Sequence, residues 1–285
     1  MKNYLHHSLK DKVVLITGGS RGFGWFIAER LLKSKSKVAI TASSGNQELN
    51  KAKYKAKEIS KPDNCLPIIA DVRDWEDCKI TINKVIDQFG RIDVLINNAG
   101  KGSREYRIDY LDKNKTTKFW DIPTESWNSI IDTNLTGSFQ MTKAVVPQMI
   151  KQKFGKIFSI STSLTTMIGT GLSPYGASKA GLELSHITWA RELLEHKIDI
   201  NILLPGGASD TDFIPASMVP GKVGERQNKI LPGNVIVPPA IWLCSDETNG
   251  ITGRRIIAKF WDHNLPAKKS FEKCLQPQND HPEIM

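Results

Sequence analysis

A tyrosine and a lysine stand four residues apart in Ser173-Pro174-Tyr175-Gly176-Ala177-Ser178-Lys179-Ala180. On a helix that spacing puts both side chains on one face. A phenol titrating near pH ~10 is a poor proton shuttle at neutral pH, and an ammonium beside it favours the phenolate and draws its pKa toward the working range. The pair therefore offers acid/base chemistry, with Tyr175 giving or taking the proton. A packing pair on a helix surface is the plainer alternative, and the rest of the chain decides between them.

Near the start, the β-branched apolar run Lys12-Val13-Val14-Leu15-Ile16-Thr17 reads as a buried parallel strand. It runs into Gly18-Gly19-Ser20-Arg21-Gly22-Phe23-Gly24 and then into apolar residues at helical spacing from Trp25 to Leu32. Strand, glycine turn and helix come in the order a dinucleotide site requires. Gly18 permits a tight turn, Gly22 lets the backbone approach a pyrophosphate, Gly24 lets the helix pack close to the strand, and free amides at the helix start face the anion. A plain glycine-rich strand-to-helix loop remains the alternative.

Thr17-Gly18-x-x-x-Gly22-x-Gly24 resembles the opening motif of the short-chain dehydrogenases/reductases. Four further motifs in the right order extend the resemblance over about residues 10 to 258. Asp71-Val72, after the third strand at Leu66 to Ala70, is similar to the family's adenine-holding pair; a helix N-cap is the other reading of Asp71. Asn97-Asn98-Ala99-Gly100 ends the fourth strand and is similar to the stretch that supports the sheet and lines the cofactor. Asn134, in Asp132-Thr133-Asn134-Leu135-Thr136-Gly137, matches the helix asparagine that joins a proton relay through water, with a satisfied structural amide as its alternative. Tyr175-x-x-x-Lys179 completes the set. The family's serine usually lies thirteen residues before the tyrosine; here that position is Thr162, flanked by Ser161 and Ser163.

The resemblance implies a single-domain α/β Rossmann fold, a three-layer doubly wound parallel sheet, and hydride transfer between a nicotinamide and a carbonyl or alcohol carbon. Tyr175, Lys179, Thr162 and Asn134 would be the catalytic set. Gly18, Ser20, Arg21, Gly22, Phe23, Gly24, Asp71, Val72, Asn98, Ala99, Gly100, Tyr175, Lys179, Pro205, Gly206 and Thr211 would line the cofactor, although Thr211 falls one residue later than the family's usual threonine. After the second strand the chain reads Ala42-Ser43-Ser44, without the acid that selects NAD(H). Ser43, Ser44 and Arg21 suit a 2′-phosphate, so NADP(H) is expected to be preferred, with NAD(H) possible. A 3-oxoacyl reductase, recruiting an acidic carrier protein through Lys222 and Arg226, is the alternative within the enzyme class. A non-catalytic NADP-binding regulator is the alternative outside it.

The elements that must position these groups follow from periodicity. Strands alternate with helices at the rhythm of a doubly wound sheet, and 285 residues with 40% hydrophobic content suit one large domain. The expected layout is an extension at 1–10, a domain at 11–262 and a polar tail at 263–285 that is ordered only where a partner subunit holds it. A helix from an N-capping Thr124 to about Lys153 and the helix from Tyr175 carry apolar residues beyond one face, and the family usually forms dimers or tetramers. A symmetric homo-oligomer, preferentially a tetramer, is expected. The loop from Lys101 to Ile122, with Tyr106, Tyr110, Phe119 and Trp120, is either a wall of the substrate pocket or a surface excursion. Asp212 to Leu231 reads as a lid.

The net charge of +9 is spread along helix faces, without an aromatic-interleaved groove, which argues against nucleic acid. No apolar run reaches the ~20 residues that span a bilayer. Cysteines at 65, 78, 244 and 274 show no paired spacing, and the six histidines show no ligand spacing; reduced thiols, no metal and a cytoplasmic location are expected.

Overall fold

A computed structural model describes residues 7–44, 46–106, 116–211, 213 and 230–277. The expectations placed on Tyr110, Asp212, Lys222 and Arg226 lie outside the described residues. Seven strands form one parallel sheet in the order β3-β2-β1-β4-β5-β6-β7. They are β1 (Val13–Ile16), β2 (Lys37–Ala42), β3 (Cys65–Ile69), β4 (Val94–Asn97), β5 (Gly155–Ile160), β6 (Ile198–Leu204) and β7 (Arg254–Ile257). The strands are nearly continuous apolar runs because both faces of the sheet are covered. Val14 and Ile16 enter one core with Ile27 and Leu31 of α1 (Gly22–Lys33), Leu49 of α2 (Asn46–Ile59) and Ile241 of α8 (Val237–Cys244). Val13 and Leu15 enter the other with Ile82 of α3 (Trp75–Phe89) and Val145 of α5 (Gly137–Gln152). This period-two division gives the three-layer, doubly wound architecture.

The strand order reverses between β1 and β4, so the chain leaves two neighbouring strands on opposite sides and opens a crevice beyond their carboxyl ends. The glycine loop and the Asn97-to-Gly100 stretch are those two exits.

Two expectations about helices are corrected. The helix from Thr124 to Lys153 is interrupted: α4 (Thr124–Ile131) passes into a π-helical turn at Asp132–Thr136 before α5 begins. Thr124 lies inside α4, and Pro123 before it supplies no side-chain cap. Pro147 sits within α5, away from this break. The π turn places Gly137 against Val72, where a Cβ would meet the valine Cγ2 at 2.5 Å.

The tail is also corrected, as far as it is described. Helix α9 (Ala267–Cys274) buries Ser270, Phe271 and Cys274 against this same chain. Leu275 then pairs with Ile256 in an antiparallel bridge along β7. Three apolar or small side chains supplied by the tail itself replace the partner subunit that its polar composition seemed to need. All four cysteines are free and buried, and among the described residues no helix is long and apolar enough to cross a membrane.

Candidate active site

The crevice is closed at its base by one hydroxyl. Thr17 Oγ1 accepts from the amides of Asn98 and Ala99, both at 3.0 Å. Asn98 Nδ2 returns two bonds, to Thr17 O at 3.0 Å and to Gly18 O at 2.8 Å. Gly18 and Gly22 take φ of +61° and +53°, a region L side chains rarely adopt. Gly24 is needed for space, since a Cβ there would stand 2.5 Å from Gly18 O and 2.6 Å from Asn98 Nδ2. Arg21 precedes α1 without giving a side-chain cap, so first-turn amides remain as donors for an anion. A glycine-rich cradle ending on uncapped amides fits the pyrophosphate of a dinucleotide. Ser20 and Phe23 lie partly buried in it.

The other cofactor candidates separate into groups. Ser43 and Ser44 are exposed at the end of β2. Arg21 Nη1 lies 3.4 Å from Glu48 Oε1, in the first turn of the helix that the two serines lead into. Asp71 is not the helix N-cap that was the alternative reading of its carboxylate. Asp74 is the N-cap of α3, and both Asp71 oxygens are held by Arg73, which keeps the carboxyl below its ordinary range. Gly100 lies beside the catalytic candidates: a Cβ there would stand 3.3 Å from Asn134 Oδ1 and 3.9 Å from Lys179 Nζ. Across the crevice, Lys259 N donates to Pro205 O at 3.0 Å, and Gly206 packs under the Lys259 stem. A Cβ at Gly22 would lie 3.8 Å from Thr211 Cβ, so Thr211 reaches the glycine loop despite its offset.

Tyr175 and Lys179 open α7 (Ser173–Glu192), entered through Pro174 in its first turn. The Thr162 side chain lies beside the Tyr175 phenol and opposes the rise of its pKa. Its neighbours are engaged elsewhere: Ser161 Oγ donates to Glu183 Oε1 at 2.6 Å, and Ser163 caps α6 (Leu164–Met167) by accepting from Thr166 N. Of the three hydroxyls, the one at thirteen-residue spacing is the one that acts on the tyrosine's pKa.

The proton balance differs from the simple pair. Lys179 Nζ donates to Ile160 O at 2.7 Å and lies 5.8 Å from the Tyr175 ring centre. Burial pushes the phenol up to about 12, against the opposing influence of Thr162. Burial also lowers the Lys179 ammonium to about 8, with the Glu183 carboxylate working in the other direction. Desolvation is thus the largest influence on both groups, acting against the charged form of each. Asn134 is fully buried. Its amide donates to Lys101 O and to Ser178 Oγ, both at 2.9 Å, and its Oδ1 accepts from Lys101 N at 2.7 Å. These bonds satisfy the side-chain amide and clamp the strand exit that follows Gly100.

The family model described as short chain dehydrogenase matches residues 12–217. The chain belongs to the short-chain dehydrogenase family. It is an oxidoreductase acting on alcohol or carbonyl groups. A 3-oxoacyl-[acyl-carrier-protein] reductase FabG of Thermotoga maritima is 32% identical over 257 residues, covering 87% of this chain and 96% of the relative. The protein of the same name from Salmonella typhimurium is 30% identical over 260 residues, with the same coverage. Among solved structures, a levodione reductase superposes with a TM-score of 0.73 at 26% identity, over 87% of this chain and 95% of that one. A putative short-chain alcohol dehydrogenase from Sinorhizobium meliloti gives 0.72 at 28%, over 88% and 96%.

Sequence reasoning missed several residues of this short-chain dehydrogenase. Ser178 bridges Asn134 to the Tyr175 carbonyl; a hydroxyl in the buried part of a helix is its signal, since it must find partners. Phe213 packs 5.7 Å from the Tyr175 ring and fills the space above Gly102. Glu183, one turn beyond Lys179, announces itself only as a charge on the inward face. In the long loop, Tyr106 donates to Gly171 O at 2.7 Å and so flanks the entrance to α7, whereas Phe119 and Trp120 pack on each other in solvent.

Removing the Thr17 hydroxyl leaves two amides of the fourth-strand exit without their acceptor, at about 1–3 kcal/mol each. Thr17→Val is expected to lower unfolding free energy by about 2–4 kcal/mol in urea melts, whereas Thr188→Val, at an exposed helical site, leaves it within ~0.5 kcal/mol.

Proposed function

We propose that the chain is an NADP(H)-dependent carbonyl reductase of small-molecule ketones, working with Tyr175 as proton donor. The observation that carries this reading is the Thr162 side chain beside a half-buried phenol one helical turn from Lys179, next to a cradle shaped for a pyrophosphate. A bound nicotinamide supplies hydride to a carbonyl carbon, or accepts it from an alcohol carbon in reverse. Negative charge then grows on the substrate oxygen. Tyr175, protonated at neutral pH because burial holds its pKa near 12, gives its proton to that oxygen. Thr162 donates a hydrogen bond within the same site. The Lys179 ammonium, near 8, is close enough to neutrality to return a proton to the phenolate. Asn134 serves by fixing Lys101 and Gly100 at the wall of the site.

The 30–32% relatives named 3-oxoacyl-[acyl-carrier-protein] reductase favour a second reading, reduction of a 3-oxoacyl thioester. A panel of ketones, alcohols and a 3-oxoacyl thioester, followed by cofactor absorbance, separates the two. Thr162→Val is expected to lower kcat by roughly 10²-fold and Tyr175→Phe by more, with Ser161→Ala and Ser163→Ala much nearer the parent. Unchanged turnover in Tyr175→Phe defeats the mechanism. A folded, cofactor-binding parent that turns over nothing in the panel points to a non-catalytic NADP-binding regulator.

Arg21, Ser43 and Ser44 support a preference for NADP(H). A charge-assisted phosphate bond contributes about 1.5–3 kcal/mol, so roughly tenfold tighter binding of NADP(H) than NAD(H) is expected by fluorescence titration. Arg21→Leu should erase the difference, and Glu48→Gln should widen it by freeing the guanidinium. Equal affinities in the parent chain refute the preference.

Exposed Trp127, Phe139, Ile150 and Leu184 on α4, α5 and α7 support a homo-oligomer built on these helices. Because the tail pairs with β7, a dimer through those helices requires less rearrangement than a tetramer that also uses this sheet edge. Light scattering at micromolar concentration should give at least twice the chain mass of 31.8 kDa; a monomer overturns the assembly. Buried reduced thiols are consistent with a cytoplasmic setting, to be checked by localising a tagged chain.

A further inference from the structure

The C-terminal tail reaches the catalytic hydroxyl through one guanidinium. Arg255 in β7 spends each of its three nitrogens on a different partner. Nε donates to Glu183 Oε2 at 2.9 Å, Nη1 to Gln276 Oε1 at 2.6 Å, and Nη2 to the main-chain carbonyl of Thr162 at 2.8 Å. The other Glu183 oxygen accepts from Ser161 Oγ at 2.6 Å, so residues 161 and 162 are both tied to the same ion pair. Glu183 stands on α7 one turn beyond Lys179, on the helix that carries Tyr175. The network therefore joins the two elements whose relative placement sets the contact between Thr162 and Tyr175.

The tail is fixed independently at the same place. Gln276 N donates to Arg255 O at 2.9 Å, Gln276 O accepts from Arg254 Nη2 at 3.1 Å, and Leu275 bridges Ile256. Phe271 and Cys274 of α9 are buried in the core. A glutamine delivered by this anchored segment completes the donor set of Arg255. A lysine at 255 would offer one point charge where a planar fork meets three acceptors.

We infer that Arg255 is a positioning residue for the Thr162 hydroxyl and that the tail, through Gln276, is the part of the chain that holds Arg255 in place. The inference rests on the role given to Thr162 above. Small displacements of a reacting group are costly, a misplacement of about 1 Å being worth up to 10²-fold in rate. Arg255→Leu is accordingly expected to lower kcat by roughly tenfold or more, and Gln276→Leu by roughly threefold.

The test is a double-mutant cycle in the full-length chain, with each substitution made alone and in the Thr162→Val background. Val at 162 keeps the carbonyl that Arg255 binds and lacks the hydroxyl to be positioned. If Arg255 acts through that hydroxyl, Arg255→Leu and Gln276→Leu change kcat by less than about twofold in that background. An equal loss in both backgrounds means that the pair serves the fold alone and overturns the inference, as does an unchanged kcat in the otherwise parental chain. A second readout needs no turnover: in methyl-labelled protein, the Thr162 methyl NMR signal should move in both variants while that of Thr81, on the buried face of α3, stays. An unmoved Thr162 signal overturns the inference. Should Arg255→Leu not fold, with Glu183 left unpaired, the Gln276→Leu cycle and its methyl shift decide the matter alone. If Thr162→Val by itself leaves kcat intact, the role of Thr162 is wrong; an unmoved methyl with an impaired Thr162→Val sinks only the tail.

Discussion

The active site depends on a threonine hydroxyl at the end of the first strand. Parallel strands diverge at a point where their connections leave on opposite sides, and nothing in the sheet ladder itself holds the two exits together beyond the last paired residue. Thr17 does so by accepting two amides of the fourth-strand exit, while Asn98 answers with two bonds to the glycine loop. Four hydrogen bonds over two residues on each side make a rigid base. Only from such a base can a glycine loop keep positive φ at two positions and still present its amides in fixed directions.

Burial then sets the protonation states on the opposite wall. Tyr175 and Lys179 are both desolvated, and desolvation opposes the charged form of each, raising the phenol and lowering the ammonium. The two groups are thereby brought toward their neutral states by one cause. A neutral phenol is a proton donor to a nascent alkoxide, and an ammonium near 8 is a replenishing acid. Glu183 opposes the shift of Lys179, but its own charge is shared with Arg255 and Ser161. The ion pair thus restrains how strongly the carboxylate acts on the lysine one turn away.

Around this centre the structure repeats one device: a side-chain amide or guanidinium gripping main-chain groups of a neighbouring segment. Asn134 does so at Lys101, Asn98 at Gly18, and Arg255 at Thr162. Each fixes a backbone that carries function without itself touching the reacting atoms. The same logic explains the π turn at Asp132–Thr136, which lets Asn134 face the strand exits while α5 continues along the sheet.

The sequence by itself determined the parallel sheet, the glycine cradle and the order of the catalytic residues. Those features are local: a β-branched run, a turn that only glycine can make, and a four-residue helical interval each have their meaning within a few positions. Spacing alone favoured Thr162 over Ser161 and Ser163, and in the structure the two serines bond elsewhere while the Thr162 side chain lies beside the phenol. Tertiary structure decided what depends on distant partners. Asp71 bonds Arg73, the Asn134 amide grips Lys101, desolvation acts on both Tyr175 and Lys179, and the tail found its place through Phe271 and Gln276. None of these could be read from spacing, because desolvation and hydrogen-bond competition are set by what the fold packs against a residue. Glu183, Arg255 and Gln276 show this most clearly: they are unremarkable charges and an amide in the chain, 72 and 21 residues apart along it, until β7 brings them to one guanidinium.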